Sequence, residues 1–393
     1  MSRFLFVVPP LVGHVNPAVG VAAELAARGH TIAWAGLPEV VGPLAGPGAR
    51  VYRCEVAAEG AAVPRPAELR GPAALKFLWQ EFLVPLAEAM VPGVAQAVDR
   101  FGPDVLVVDQ QALAGALVAE RLGLPWATTA TTSAEFTGAL DGMPLVDAWI
   151  SGLLADLRAR LGSPDAAGDL RFSPHLVLAF TTPELTGPIA RPGPVRFVGP
   201  SLTARPGAAF PWEWLDRDRR CVLVTLGTAN PDAGREFLTA CRDALRARSG
   251  WLQTVIVDPG GVLGDPAPDA DLRVARSVPQ LELLARTAAV VCHAGHNTVC
   301  ESLWHGVPLV VAPIRDDQPV VAAQVTAAGA GVRVRFGRSA AERVGRAVDT
   351  VLDDPAHRAA AGRIGAAFRS AGGATAAADA LDHLLTTAAR EPR

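Results

Sequence analysis

Two groups of polar residues stand at the ends of apolar runs, where a folded chain exposes chemistry at the edge of a buried element. The first is the string His293-Ala-Gly295-His-Asn297-Thr298-Val-Cys-Glu301, which follows a short apolar run ending in Val290, Val291 and Cys292. Such a run suits a buried parallel strand, and Gly295 predicts a sharp turn into a helix starting near Asn297 and Thr298, both good N-cap residues. The N–H groups of a first helical turn carry roughly half a positive charge, so this spot suits a phosphate or diphosphate. Glu301 falls about one turn beyond Asn297 on the same face, where a carboxylate can accept hydrogen bonds from two ribose hydroxyls. Gly306 and Pro308 stop the helix, and a second polar loop follows with Asp316, Asp317, Gln318 and Pro319.

The second group pairs residues distant in sequence. His14 follows Gly13 in a predicted loop, Pro9 through Asn16, between a strand over residues 3–8 and a helix with Asn16 as N-cap and Pro17 at its first position. Two roles fit His14: a ring that shapes the loop through backbone hydrogen bonds, or a general base, since imidazole titrates near neutrality. Asp109 ends another short apolar strand, Val105 to Val108, on the same sheet edge. An aspartate there can fix the imidazole tautomer and stabilise the imidazolium, which favours the base.

These residues need an open parallel sheet, and the order strand, loop, helix, strand over residues 3–35 starts one. The first loop lacks both the three-glycine dinucleotide fingerprint and the phosphate-loop lysine, against NAD or ATP there. Further strands are predicted at Trp126 to Ala130, His175 to Phe180, Val195 to Val198, Val222 to Thr225, Trp251 to Val257 and Leu272 to Arg276, with a helix from Val320 and a turn at Gly329 to Gly331. Two apolar, helix-prone stretches interrupt the pattern, Pro64 to Pro92 and Ser133 to Phe172. A chain of 393 residues suits two domains of roughly 150 to 200 residues each. With 36 basic against 39 acidic residues and no basic block, nucleic acid and an anionic membrane surface are disfavoured as partners. Five cysteines without a Cys-x-x-Cys pair fit a reducing cytosol, and the N-terminal apolar run broken by Pro9 and Pro10 reads as neither signal peptide nor spanning helix, so a cytoplasmic location is expected. Lys76 is the only lysine. Asp269-Ala-Asp271 satisfies a metal-binding Asp-x-Asp pattern but reads better as a solvated loop, and no His/Cys spacing suggests zinc.

The string from His293 to Glu301, with Asp317-Gln318-Pro319, resembles the donor signature of family 1 nucleotide-sugar glycosyltransferases of the GT-B fold, among them the bacterial macrolide and antibiotic natural-product enzymes. Gly13-His14-Val-Asn-Pro and the strand-end Asp109 are similar to that family's catalytic histidine and its partner. His296 stands where many relatives carry a small residue, and Asp316 precedes the usual acidic-Gln pair, leaving open which aspartate faces the sugar. The resemblance implies an α/β protein with two Rossmann-like domains, their parallel sheets facing across a central cleft: an acceptor domain over 1–200, a linker over 201–218, a donor domain over 219–375, and a terminal helix over 376–393 packing back on the first domain.

It also implies a function, an inverting transfer of a hexose from a UDP- or dTDP-sugar to a hydroxyl of a small, largely apolar acceptor such as a polyketide, macrolide or phenol. His14 and Asp109 are then catalytic; Gly227, Thr228, His293, Gly295, Asn297 and Thr298 hold the diphosphate; Val278, Gln280 and Glu301 hold the nucleoside; Asp317 and Gln318 hold the sugar. Trp79, Phe82, Ser133, Phe136 and Met143 are candidate acceptor contacts, with Glu135 beside them. No metal and no cofactor are expected beyond the sugar nucleotide, and the chain is expected to be a monomer or homodimer without a membrane span. A nucleotide-sugar epimerase of the same fold and a non-catalytic sugar-nucleotide binder are the alternatives.

Overall fold

The short apolar runs become strands of two wholly parallel sheets in the computed structural model, which describes residues 1–56, 69–139, 141–189, 193–203, 205, 208–227, 234–264, 267, 269–337 and 340–388. The chain divides into two compact units, one of Met1–Thr182, Pro188–Thr203 and Ala371–Arg393, the other of Pro183–Gly187 and Ala204–Ser370.

The first unit holds β1 (Arg3–Val7), β2 (Thr31–Gly36), β3 (Val51–Arg53), β4 (Val105–Asp109), β5 (Trp126–Ala130), β6 (Val177–Ala179) and β7 (Val195–Phe197), in the order β3-β2-β1-β4-β5-β6-β7. The second holds β8 (Arg220–Thr225), β9 (Leu252–Val257), β10 (Leu272–Ala275), β11 (Ala289–Cys292), β12 (Leu309–Val311) and β13 (Gly331–Arg333), in the order β10-β9-β8-β11-β12-β13. Each order reverses direction once, between β1 and β4 and between β8 and β11. In open α/β sheets that crevice, at the carboxyl ends of the strands, is where ligands bind.

Strand alternation separates two cores in each unit. In the first, Phe4, Phe6, Val105 and Val107 pack with Val15, Val21 and Leu25 of the helix Val12–Ala27, and Leu5, Val7, Leu106 and Val108 pack on the opposite face with Trp79, Leu83, Met90 and Val94. The helix Gly373–Ala388 joins the former core through Ala377, Ala378, Leu381 and Leu384. Arg28 ties it down, donating to Asp379 at 2.7 Å and Asp382 at 3.0 Å, and Gly20 is needed for the close approach: a Cβ there would lie 2.8 Å from Thr203 Cγ2 and 3.5 Å from Ala374 Cβ.

Several elements differ from the sequence reading. The first helix starts at Val12, with Leu11 as N-cap, so His14 lies in its first turn and Pro17 lies inside it. Proline lacks the N–H that would reach back to the Gly13 carbonyl, while the preceding first turn is closed on the Leu11 carbonyl by His14 N–H at 2.9 Å and Val15 N–H at 3.1 Å. The stretch bounded above at Pro92 is helical from Gly71 to Phe101, with π-helical turns over Leu78–Leu83 and with Pro92 inside. By length and composition alone this run is apolar enough to cross a membrane. Leu86, Met90, Val94, Val98 and Phe101 are nevertheless buried in the core of the first unit. Among the described residues, Ser133 to Phe172 is helical only over Pro144–Leu161. β3 and β13 were not anticipated, and the helix placed from Val320 starts at Gln318.

Candidate active site

At the reversal point of the first sheet, β1 leads into the helix carrying His14, and β4 ends in Asp109. His14 Nδ1 lies 2.9 Å from Asp109 Oδ1 and 3.1 Å from Oδ2. The carboxylate is wholly buried, whereas the imidazole keeps 16% of its surface exposed. Two further groups hold the carboxylate: the Gln111 N–H donates to Oδ1 at 2.9 Å, and the Thr131 hydroxyl donates to Oδ2 at 2.8 Å while standing 2.7 Å from His14 Nδ1. With Nδ1 committed to this set, proton acceptance falls to Nε2. Thr131 was missed by the sequence reading. It lies two residues beyond Thr129, the partner of Asp109 in register, and therefore on the same face.

At the reversal point of the second sheet, β8 runs into Gly227 and β11 into His293. Gly227 has φ 67°, and a Cβ there would sit 2.8 Å from His293 Cε1. Gly295 serves the same ring from the other direction, since a Cβ there would collide with Nε2. The sharp turn expected of Gly295 is made by Ala294, at φ 65°, while Gly295 takes φ −63° as N-cap of the helix His296–Trp304. Asn297 and Thr298 thus lie inside the first turn rather than at its N-cap, and the first intrahelical bond runs from Val299 N–H to the Gly295 carbonyl at 3.0 Å. Burial pushes His293 down to about 4, outweighing the Thr225 backbone that favours its protonated form, so the ring is neutral at pH 7. His296 is buried, with Cys300 Sγ 3.5 Å from its Nε2 one turn on. Thr228 lies outside the described residues.

Glu301 is 1% exposed and has both oxygens engaged: Oε1 accepts from Arg205 at 2.5 Å, and Oε2 from Gln280 Nε2 at 2.6 Å. Gln280 opens the helix Gln280–Leu284, and Val278 packs just before it against the core of the second unit. Arg205, in a Pro- and Gly-rich segment without periodicity, gave no sequence signal. Asp317 caps the helix Gln318–Ala327, Asp316 takes φ 57°, and the Gln318 side-chain oxygen accepts from the N–H groups of Ile314 at 2.9 Å and Arg315 at 3.2 Å. Asp269 and Asp271 are tied down: Asp269 accepts from Asp271 and Leu272 N–H and pairs with Arg246, and Asp271 pairs with Arg219.

The five candidate acceptor contacts do not form one group. Trp79 is buried and Phe82 half-buried on the π-helical turns, in the core under β4. Phe136 packs in a separate cluster with Ala130, Val177 and Phe197. Ser133 is buried and accepts Thr137 through its carbonyl, and Met143 is exposed ahead of the helix Pro144–Leu161. Arg171 is buried with its guanidinium over the Trp79 ring, paired to Asp169 at 2.6 Å and 3.6 Å from Glu135.

Comparison with known proteins places the chain among glycosyltransferases. The family described as UDP-glucoronosyl and UDP-glucosyl transferase matches residues 259–368. The chain is 32% identical over 425 residues to 4'-demethylrebeccamycin synthase of Lentzea aerocolonigenes, covering 98% of this chain and 100% of that protein. Among solved structures it is similar to CalG4, the calicheamicin glycosyltransferase, at 26% identity and a TM-score of 0.79 with 98% of each chain covered. It is also similar to the spinosyn rhamnosyltransferase SpnG complexed with spinosyn aglycone, at 25% identity and a TM-score of 0.75 with 97% and 100% covered.

Proposed function

From the premise that this chain belongs to the family 1 nucleotide-sugar glycosyltransferases of GT-B fold, we propose that it moves a sugar from a UDP- or dTDP-sugar to a hydroxyl of a small natural product, with inversion and without a metal. The observation that carries this reading is the His14, Asp109 and Thr131 set at the reversal point of the first sheet. His14 Nε2 takes the proton of the acceptor hydroxyl, Asp109 holds the tautomer and stabilises the imidazolium, and the acceptor oxygen attacks the anomeric carbon as the diphosphate leaves. A pure nucleotide binder needs no such set.

The growing charge on the diphosphate is met by the first turn of the helix His296–Trp304, by Gly227 and by the neutral His293 ring as hydrogen-bond donor. Gln280 and Glu301 take the ribose, Val278 the base, and Asp317 with the Gln318 amide the sugar hydroxyls. Natural-product acceptors are favoured because the relatives named above are the rebeccamycin, calicheamicin and spinosyn enzymes.

The test is calorimetric titration with UDP, dTDP, GDP, NAD⁺ and ATP, in EDTA and in magnesium, followed by transfer assays and NMR of the product's anomeric configuration. Selective binding of UDP or dTDP that ignores EDTA, with an inverted glycoside, supports the reading; a strict magnesium requirement or retention of configuration overturns it.

A further inference from the structure

Two side chains near the His14 set, Gln110 buried and Glu135 partly exposed, hold buried polar atoms without a hydrogen-bond partner among the described residues. Gln110 directly follows Asp109, is 2% exposed, and has no hydrogen-bond partner at either Oε1 or Nε2. Glu135, four residues beyond Thr131, has an Oε2 in the same condition, with Arg171 no nearer than 3.6 Å. Buried amides normally satisfy both ends, because an unmet donor or acceptor retains its full loss of hydration. The free protein therefore keeps Gln110 at a cost in stability.

Their placement gives that cost a purpose. Val105 and Val107 face the core of the His14 helix, and Leu106 and Val108 face the core that contains Trp79. Continuing the alternation puts Asp109 on the first side and Gln110 on the second. Gln110 is level with Ala130 of β5, which packs against Phe136, the neighbour of Glu135. Arg171, 5.8 Å above the Trp79 ring and facing Glu135, closes the same group. Gln110 thus follows Asp109 at the end of β4, and Glu135, in the segment after β5, stands close enough to Asp109 and His14 to feel their charges.

Building on the transfer reading above, we propose that Gln110 and Glu135 form a polar acceptor subsite that takes an adjacent hydrogen-bond donor and acceptor on the acceptor molecule, as carried by an amide, a lactam or a hydroxyketone. A carboxamide presents a donor and an acceptor in one plane, and its complement is another planar donor–acceptor edge, the geometry by which glutamine reads adenine. Glu135 adds a second acceptor when ionised and a donor when protonated. The acceptor is then polar at this end, beyond the hydroxyl that faces His14.

The experiment uses the full chain and two phenols of near-equal size, 3-hydroxybenzamide and 3-isopropylphenol, with binding read by ligand-observed NMR and stability by thermal unfolding. Gln110→Met is expected to raise the Tm of the free protein, to weaken 3-hydroxybenzamide about tenfold, and to leave 3-isopropylphenol equal or tighter. Glu135→Leu should lower the same benzamide-to-isopropyl preference. A lower Tm in Gln110→Met, parallel changes for both phenols, or binding of neither overturns the subsite. If the phenols behave as expected while His14→Ala leaves transfer intact, the subsite stands and the base assignment falls.

Discussion

His14 and Asp109 were readable because each ends or follows an apolar run, whereas Thr131 was hidden in Thr128-Thr129-Ala-Thr131-Thr132, which reads as ordinary strand propensity. Its position still makes a quantitative claim. On the proposed mechanism His14→Ala removes the base and should lower kcat by about 10²- to 10⁴-fold, with nucleotide affinity by calorimetry unchanged. Thr131→Val keeps the shape but removes a hydrogen bond to a charged group, worth about 1.5–3 kcal/mol, so a loss of roughly ten- to a hundredfold in kcat is expected. Equal activity in Thr131→Val would reduce Thr131 to packing. On the donor side, Ala294 carries the left-handed backbone that glycine was expected to carry, and Gly295 instead makes room for the His293 ring. Gly295→Ala fits φ −63° yet crowds that ring, so it should weaken UDP or dTDP binding in the natural background and have no further effect in His293→Ala. Additive losses in that double-mutant cycle would mean that Gly295 acts independently of the ring.

At the scale of elements, the strands that position the site were legible, whereas the edge strands β3 and β13 were not. β1, β4, β8 and β11 flank the two reversal points and are buried on both faces, so they read as continuous apolar runs. β3 and β13 are three-residue edge strands, Val51–Arg53 and Gly331–Arg333, too short for any period and set by pairing with a neighbour. Pro17 reads as the first residue of the helix bearing His14, yet the fold tolerates the proline one turn further in. That helix is held from behind by Gly373–Ala388, whose Leu381 is fully buried. Leu381→Ala should therefore cost about 2–5 kcal/mol in urea unfolding of the first unit. If the helix only tethers the chain end, the cost would fall to about 0.5 kcal/mol, as for a surface substitution.

For the whole molecule, the buried titrating groups pull the two units in opposite directions with pH. In the second unit His293 titrates near about 4 against an ordinary 6.5, because burial disfavours its charge. Between those values the unfolded chain takes up a proton that the folded unit refuses, so acidification through this window removes stability. In the first unit burial raises Glu135 from 4.5 to about 7, against the pull of Arg171. There the folded unit holds a proton that the unfolded chain has released, so the same acidification adds stability, fully present below about 4.5 and lost as pH rises through about 7. Taking pH from about 7 to about 5 should weaken the second unit and strengthen the first by about 2 kcal/mol each. Hydrogen exchange followed by mass spectrometry assigns protection to each unit, and the second is expected to open first at the lower pH. His293→Asn should reduce the loss in the second unit alone, leaving the part due to His305, whose titration burial also lowers, and Glu135→Gln should abolish the gain in the first alone. Parallel loss of protection in both units, unaffected by either variant, would show that their stability is set by groups other than these two, and with it that the His293 ring is not the neutral donor that the diphosphate site requires.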